Sequence, residues 1–140
     1  MDKVKRYIPY LLLTGLTLFF CRIFVGRYGI FGAKVDWLSQ HSVLPDYFRQ
    51  QFYATGKIFP EFAPNLGGGQ NIYHFAYYGL YSPLILPSYL LPFVKMSDYI
   101  MVISITGLTV SVLLFYYWLK SRKMDTGVAF IISLMFLLAG

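Results

Sequence analysis

Two long apolar runs and the beginning of a third organise this sequence. Residues 7–25 contain one charge, Arg22, and match the ~20 residues that cross a hydrocarbon core about 30 Å thick. Residues 99–119 contain no charge and are rich in β-branched and aromatic side chains, which predicts a second span. A third run opens at Thr126 and is still apolar at Gly140. At about 1.5 Å per residue, 126–140 reaches only ~22 Å as a helix, short of the hydrocarbon thickness. The pattern predicts an all-α integral membrane fold of about three transmembrane helices, the third incomplete. Residues 1–140 are then expected to be the amino-terminal part of one larger polytopic domain.

Between the first two spans, residues 26–98 form a polar and aromatic loop that holds both histidines and most of the acidic residues. Within it Leu44, Tyr47, Phe48 and Phe52 recur at helical spacing, Pro45 suits a first helical position, and Gly56 suits a C-terminal cap. A short amphipathic helix over 45–55, lying on the membrane surface, follows from this pattern. The prolines in 58–65 predict an extended connection, and Gly67, Gly68 and Gly69 a tight turn. Residues 77–94 are apolar but interrupted by Pro83, Pro87 and Pro92, which predicts a broken or re-entrant helix.

Composition agrees with the membrane class: 57% hydrophobic, 20% aromatic and 13% charged residues, with a mean hydropathy of +0.56. The net charge of +6 sits beside the apolar runs, in Lys3, Lys5 and Arg6 and in Lys120, Arg122 and Lys123, not in a stripe on a folded face. Nucleic acid is therefore not an expected partner. By the positive-inside rule both clusters are cytoplasmic, so the amino terminus is expected inside and 26–98 outside, in a multi-pass protein of the cytoplasmic membrane. The basic start is followed by an apolar stretch too long for a cleaved signal and by no small-x-small site, which reads as an uncleaved anchor. Cys21 is the only cysteine, so neither a disulfide nor a cysteine-based metal site is expected.

Chemistry is concentrated in the loop. Asp36 lies just beyond the first span, where partial burial would make its carboxylate a competent general base; the alternative is a solvated aspartate or a helix N-cap. Asp46 and Arg49 have the spacing of a local helical ion pair, while Arg49 and Arg22 are also suited to a phosphate. For Arg22, snorkelling to the headgroups is the simpler role. His41 and His74 with Asp36 or Glu61 match no compact metal-ligand motif, and no metal or cofactor is expected. Glu61 is a second acid/base candidate or a solvated loop residue. The Gly67-Gly68-Gly69 turn lacks the Lys-Ser/Thr ending of a phosphate-binding loop. Gln40, Asn65, Gln70 and Asn71 supply the paired donors and acceptors that sugar hydroxyls need. Trp37, Tyr73, Tyr77 and Tyr78 offer stacking faces or form an interfacial aromatic belt.

The segments Asp36-Trp37-Leu38-Ser39-Gln40-His41, Pro45-Asp46-Tyr47-Phe48-Arg49, Asn65-Leu66-Gly67-Gly68-Gly69-Gln70-Asn71-Ile72-Tyr73 and Tyr77-Tyr78-Gly79-Leu80-Tyr81-Ser82-Pro83 resemble the amino-terminal region of YfhO-type bacterial membrane proteins. Those proteins are large and polytopic, and similar in architecture to GT-C glycosyltransferases. In GT-C enzymes the first extracytoplasmic loop carries short membrane-parallel helices and a catalytic acidic residue. Asp36 matches that position. GT-C loops often show paired acidic residues, whereas this loop has Asp36 alone until Asp46. The resemblance implies a sugar donor on polyprenyl phosphate and a cell-wall polymer such as lipoteichoic acid as acceptor. It further implies Asp36 as base, Arg49 or Arg22 near the lipid phosphate, and Gln40, His41, Asn65, Gln70, Asn71 and His74 around the substrate. The competing expectation is a transporter or assembly component for lipid-linked sugars. Taken alone, these 140 residues are expected to be inactive.

Overall fold

A computed structural model of the chain describes residues 3–139. It divides into two compact units: Gly32–Ile103, and the chain on either side of that segment.

The flanking unit is helical. Helix α1 runs Lys3–Tyr28, and the long helix Met96–Ser121 (numbered α4 below) enters this unit from Ser104 onward. The helix Thr126–Leu138 (α5) completes it. The first two are long and apolar enough to cross a membrane. Only 17% and 11% of their apolar windows is buried within the protein, so most of that surface needs an apolar solvent, and the bilayer supplies one. Both helices overrun the predicted 7–25 and 99–119, because charged residues at a helix end keep the backbone ladder while lowering the hydropathy that defines a span.

Leu13 of α1 meets Val112, Tyr116 and Leu119 of α4 and Ala129 and Leu137 of α5 in one cluster. The ring of Tyr10 stands edge-on to Tyr116 at 4.9 Å. Thr17 and Ser133, both fully buried, return their hydroxyls to the carbonyls of Leu13 and Ala129 at 2.8 Å, which satisfies them within their own helices. Asp125 caps α5, its Oδ1 accepting from the amides of Gly127 at 2.8 Å and Val128 at 3.3 Å. The Val128 and Gly127 amides hold its carboxyl below the usual carboxylate range.

The loop unit contains α2 (Lys34–Asp36), a π turn (Trp37–His41), α3 (Val43–Thr55), the antiparallel pair β1 (Phe62–Ala63) and β2 (Gln70–Asn71), and 3-10 segments at Ile72–Tyr78 and Leu86–Leu90. Its core is Leu44, Phe48, Ala63, Ile72, Leu80 and Tyr89. Helix α3 starts two residues before the predicted 45–55, which leaves Pro45 within the first turn, where its missing N–H has no intrahelical partner to lose. It ends as expected at Gly56, which is left-handed. The glycine turn closes a hairpin: Gly67, Gly68 and Gly69 have φ of 55°, 82° and 102°, values that side-chain-bearing residues adopt at a cost. The proline-interrupted run 77–94 forms no continuous helix; its regular pieces are 3-10 turns.

Arg49 fastens these pieces together. Its side chain is only 7% exposed, yet its Nη1 donates to the carbonyls of Val94 at 2.8 Å and Leu91 at 3.2 Å, and Nη2 to Asp46 Oδ1 at 2.6 Å. The Asp46–Arg49 ion pair predicted from their spacing is thus present, and the larger share of the arginine's work is long-range. Tyr53 adds a hydroxyl bond to the carbonyl of Tyr89 at 2.6 Å, and Phe52 packs on the Tyr89 ring at 5.1 Å. Helix α3 is therefore tied to residues 89–94 by charge, hydrogen bond and ring contact.

Two consequences are testable in the whole purified protein. Replacing Arg49 with Met should lower the stability of the loop unit by about 2–3 kcal/mol, since it strands two carbonyls and one carboxylate. Asp46→Asn should cost about 1 kcal/mol or less, because Asp46 is partly solvated. Equal melting temperatures for wild type and Arg49→Met would contradict the clamp. Burial pushes the Tyr89 phenol up to about 12, with the nearby Arg49 pulling partly against it. The unfolded phenol ionises near its ordinary value while the folded one stays protonated, so folding stability should fall as pH rises from about 10 to about 12. The Tyr89 hydroxyl also meets no protein partner among the described residues. Tyr89→Phe should therefore remove that alkaline loss and cost nothing at neutral pH, as followed by thermal melts across the two ranges.

Candidate functional site

The short run 33–42 sets the geometry. Trp37 is buried, and its indole lies against Gly32, where a Cβ would approach Trp37 Cε3 to 2.9 Å. Gly32 has φ of 155°, so the chain turns there under the ring. Beyond Trp37 the helix widens: the amide and the hydroxyl of Ser42 both reach the Trp37 carbonyl, at 3.2 and 2.7 Å. Such i→i+5 pairing puts residues four and five apart on one face and occurs frequently at functional sites. Asp36, Gln40 and His41 share that face.

Asp36 is exposed rather than partly buried, and it is the last residue of α2, with helical φ and ψ and no side-chain capping bond. Its carboxylate forms no hydrogen bond or ion pair among the described residues, so it is uncommitted. Gln40 is half-buried, and Tyr78 donates its hydroxyl to Gln40 Oε1 at 2.6 Å. The imidazole of His41 lies 6.0 Å from the Tyr78 ring, centre to centre. The Tyr78 phenol is raised above its ordinary value, first by the neighbouring Tyr77 phenol, then by desolvation and by the charge of Asp36. Three side chains from two segments of the loop unit thus meet, an amide, an imidazole and a phenol, and the Asp36 carboxylate lies one helical turn before them in sequence, its charge felt at the Tyr78 phenol.

The remaining candidates fall elsewhere. Arg49, with Asp46, Tyr47, Gln50 and Lys95, lines an open cavity of about 470 Å³ whose wall begins at Ser42, next in sequence to His41. Both Nη atoms of Arg49 are already engaged, whereas Lys95 is exposed and has no side-chain partner among the described residues. Asn65, Gln70 and Asn71 belong to the hairpin; Asn71 spends its Oδ1 on the amide of Tyr73 at 2.9 Å. His74 and Glu61 are exposed. No three histidine, cysteine, aspartate or glutamate side chains converge among the described residues. Arg22 belongs to α1 in the flanking unit, exposed, its Nη1 lying along the helix toward Gly26 as a snorkelling side chain would. Outside the cluster, Tyr73 and Tyr81 stack at 6.1 Å, and Phe59 packs on Tyr81 at 5.1 Å. Sequence reasoning offers Tyr78 as a stacking face or part of an interfacial aromatic belt and does not single out Lys95; neither the hydroxyl bond nor the shared cavity has a local signature.

Long apolar helices with outward-facing apolar surface, joined by an ordered polar unit, define an α-helical membrane protein. The chain belongs to a family of that kind: the family model described as bacterial membrane protein YfhO matches residues 8–140, which include every candidate residue above. No curated protein and no solved structure matches it.

Since Trp37 anchors the turn that presents Asp36, Gln40 and His41, Gly32→Ala should disturb the site without touching it. The expected loss is about 1–3 kcal/mol in stability. In a background in which Trp37 is the sole tryptophan of the whole protein, a red shift of its indole fluorescence should accompany it. An unchanged spectrum and melting temperature would show that Gly32 tolerates a side chain.

Proposed function

We propose that this chain is part of a membrane glycosyltransferase that moves a sugar from a polyprenyl-phosphate donor to a cell-wall polymer, such as lipoteichoic acid, on the outer face of the bacterial cytoplasmic membrane. The observation that carries the reading is the Asp36 turn: an exposed, uncommitted carboxylate whose charge reaches the Tyr78 phenol, one helical turn before an amide and an imidazole that meet that phenol, just past the first apolar helix in sequence. The architectural similarity of YfhO-type proteins to GT-C enzymes supports the same reaction class by analogy. The two basic flanks support a cytoplasmic amino terminus and an extracytoplasmic loop unit.

In this reading Asp36 takes the proton of an acceptor hydroxyl as its oxygen attacks the anomeric carbon. The bond from that carbon to the phosphate oxygen breaks, and its electron pair leaves with the polyprenyl phosphate. Gln40 and His41 bind substrate hydroxyls beside the base, and Asn65, Gln70, Asn71 and His74 serve more distant parts of the sugar or polymer. The leaving phosphate is served by the cavity that Ser42, Arg49 and Lys95 line. There Lys95 contributes more than Arg49, whose charge is largely balanced by Asp46.

The test uses the whole protein expressed in a strain lacking it. Asp36→Asn should reduce the sugar content of the cell-wall polymers about a hundredfold or more, the scale of a lost general base, at unchanged abundance in the membrane. Undiminished decoration would reject the catalytic role and favour transport or assembly of lipid-linked sugars.

A further inference from the structure

We infer that Tyr78 is a positioning residue that orients the Gln40 amide for a substrate bearing neighbouring hydroxyl groups. The inference deepens the glycosyl-transfer reading of the Asp36 cluster and rests on it for the identity of the ligand.

A glutamine side chain presents either a carbonyl or an NH2 group, and without a neighbour it offers both. Here the Tyr78 hydroxyl donates to Gln40 Oε1 at 2.6 Å, across 38 positions of sequence. That bond spends the carbonyl end inside the protein and leaves the NH2 end for a ligand. Tyr78 is itself held in place. The Tyr77 ring lies 4.2 Å from its own, the His41 imidazole packs at 6.0 Å, and Gly79 ends its segment in a left-handed conformation against Ile85. Four residues earlier on the same helical stretch stands the exposed Asp36 carboxylate, which only accepts while ionised, so an acceptor precedes an amide that only donates. A donor and an acceptor one helical turn apart complement two adjacent hydroxyls: one gives its proton to Asp36, and the oxygen of the next accepts from Gln40. A polyol or sugar acceptor has that pattern, and an isolated alcohol does not.

The experiment separates this inference from the reading beneath it by measuring binding and turnover independently. The whole protein, in a background in which every tryptophan except Trp37 is replaced by Phe, is titrated with purified lipoteichoic acid while the fluorescence of Trp37, adjacent to Asp36, is followed. Tyr78→Phe keeps the ring contacts and removes the hydroxyl; it should weaken binding roughly tenfold, as should Gln40→Ala. The double variant should be no weaker than either single one, because the two residues act as one device. In sugar transfer, Tyr78→Phe should raise the KM for the polymer while leaving kcat within about twofold. Melting temperatures identify any variant that fails to fold, and Tyr78→Leu, which also loses the ring, controls for packing. Wild-type affinity in Tyr78→Phe, multiplying effects in the double variant, or no binding by wild type would each overturn the inference. No sugar transfer by the wild type, or transfer undiminished in Asp36→Asn, with the binding pattern intact, would instead overturn the glycosyltransferase reading and leave the Tyr78–Gln40 device standing.

Discussion

Arg49 brings a charge into the interior of the loop unit, and the segments around it take the form that satisfies that charge. Its guanidinium is held between the Asp46 carboxylate one turn back and two carbonyls at Leu91 and Val94. Removing a guanidinium from water is costly unless its donors are met, so α3 and the chain leading into α4 are confined to the arrangement that meets them. Prolines deny residues 77–94 a continuous helix, and isolated 3-10 turns have little stability of their own. The arginine therefore supplies an order that local propensity does not.

This constraint reaches the candidate site through the chain itself. Ser42 ends the π turn by bonding the Trp37 carbonyl and also begins the wall of the cavity that Arg49 lines. The clamp and the Asp36 cluster are thus two ends of one stretch, 36–49, with Trp37 and Phe48 as its buried anchors. A positive side chain built into the scaffold this way is poorly suited to follow a moving phosphate. In the proposed mechanism the fixed groups belong to the framework, and the uncommitted Asp36 and Lys95 meet the substrate.

Much of the fold is legible in the sequence because it is local. The two long helices follow from apolar length, α3 from helical spacing and its Gly56 cap, and the hairpin turn from three successive glycines. Asp46 and Arg49 pair as their spacing requires. What could not be read depends on partners far along the chain. The carbonyls of Leu91 and Val94 have no side-chain signature, since any residue supplies a carbonyl. Gln40 and Tyr78 are an unremarkable amide and one of thirteen tyrosines until folding brings them to 2.6 Å. The π turn was equally hidden, because Trp37-Leu38-Ser39-Gln40-His41 carries no periodicity that separates a wide turn from a loop. Asp36 is legible in the sequence as a candidate, but it is exposed where a general base is expected to be partly buried.

The central claim is that this membrane protein performs chemistry on a lipid-linked sugar and does not merely hold or move one. The most direct measurement is transfer by the whole purified protein in proteoliposomes, supplied on the face that the loop unit occupies with a radiolabelled polyprenyl-phosphate sugar and with lipoteichoic acid. The account predicts that label appears covalently on the polymer and polyprenyl phosphate is released in equal amount. Donor that binds or crosses the membrane with its sugar still attached, and polymer that stays unlabelled, would contradict it.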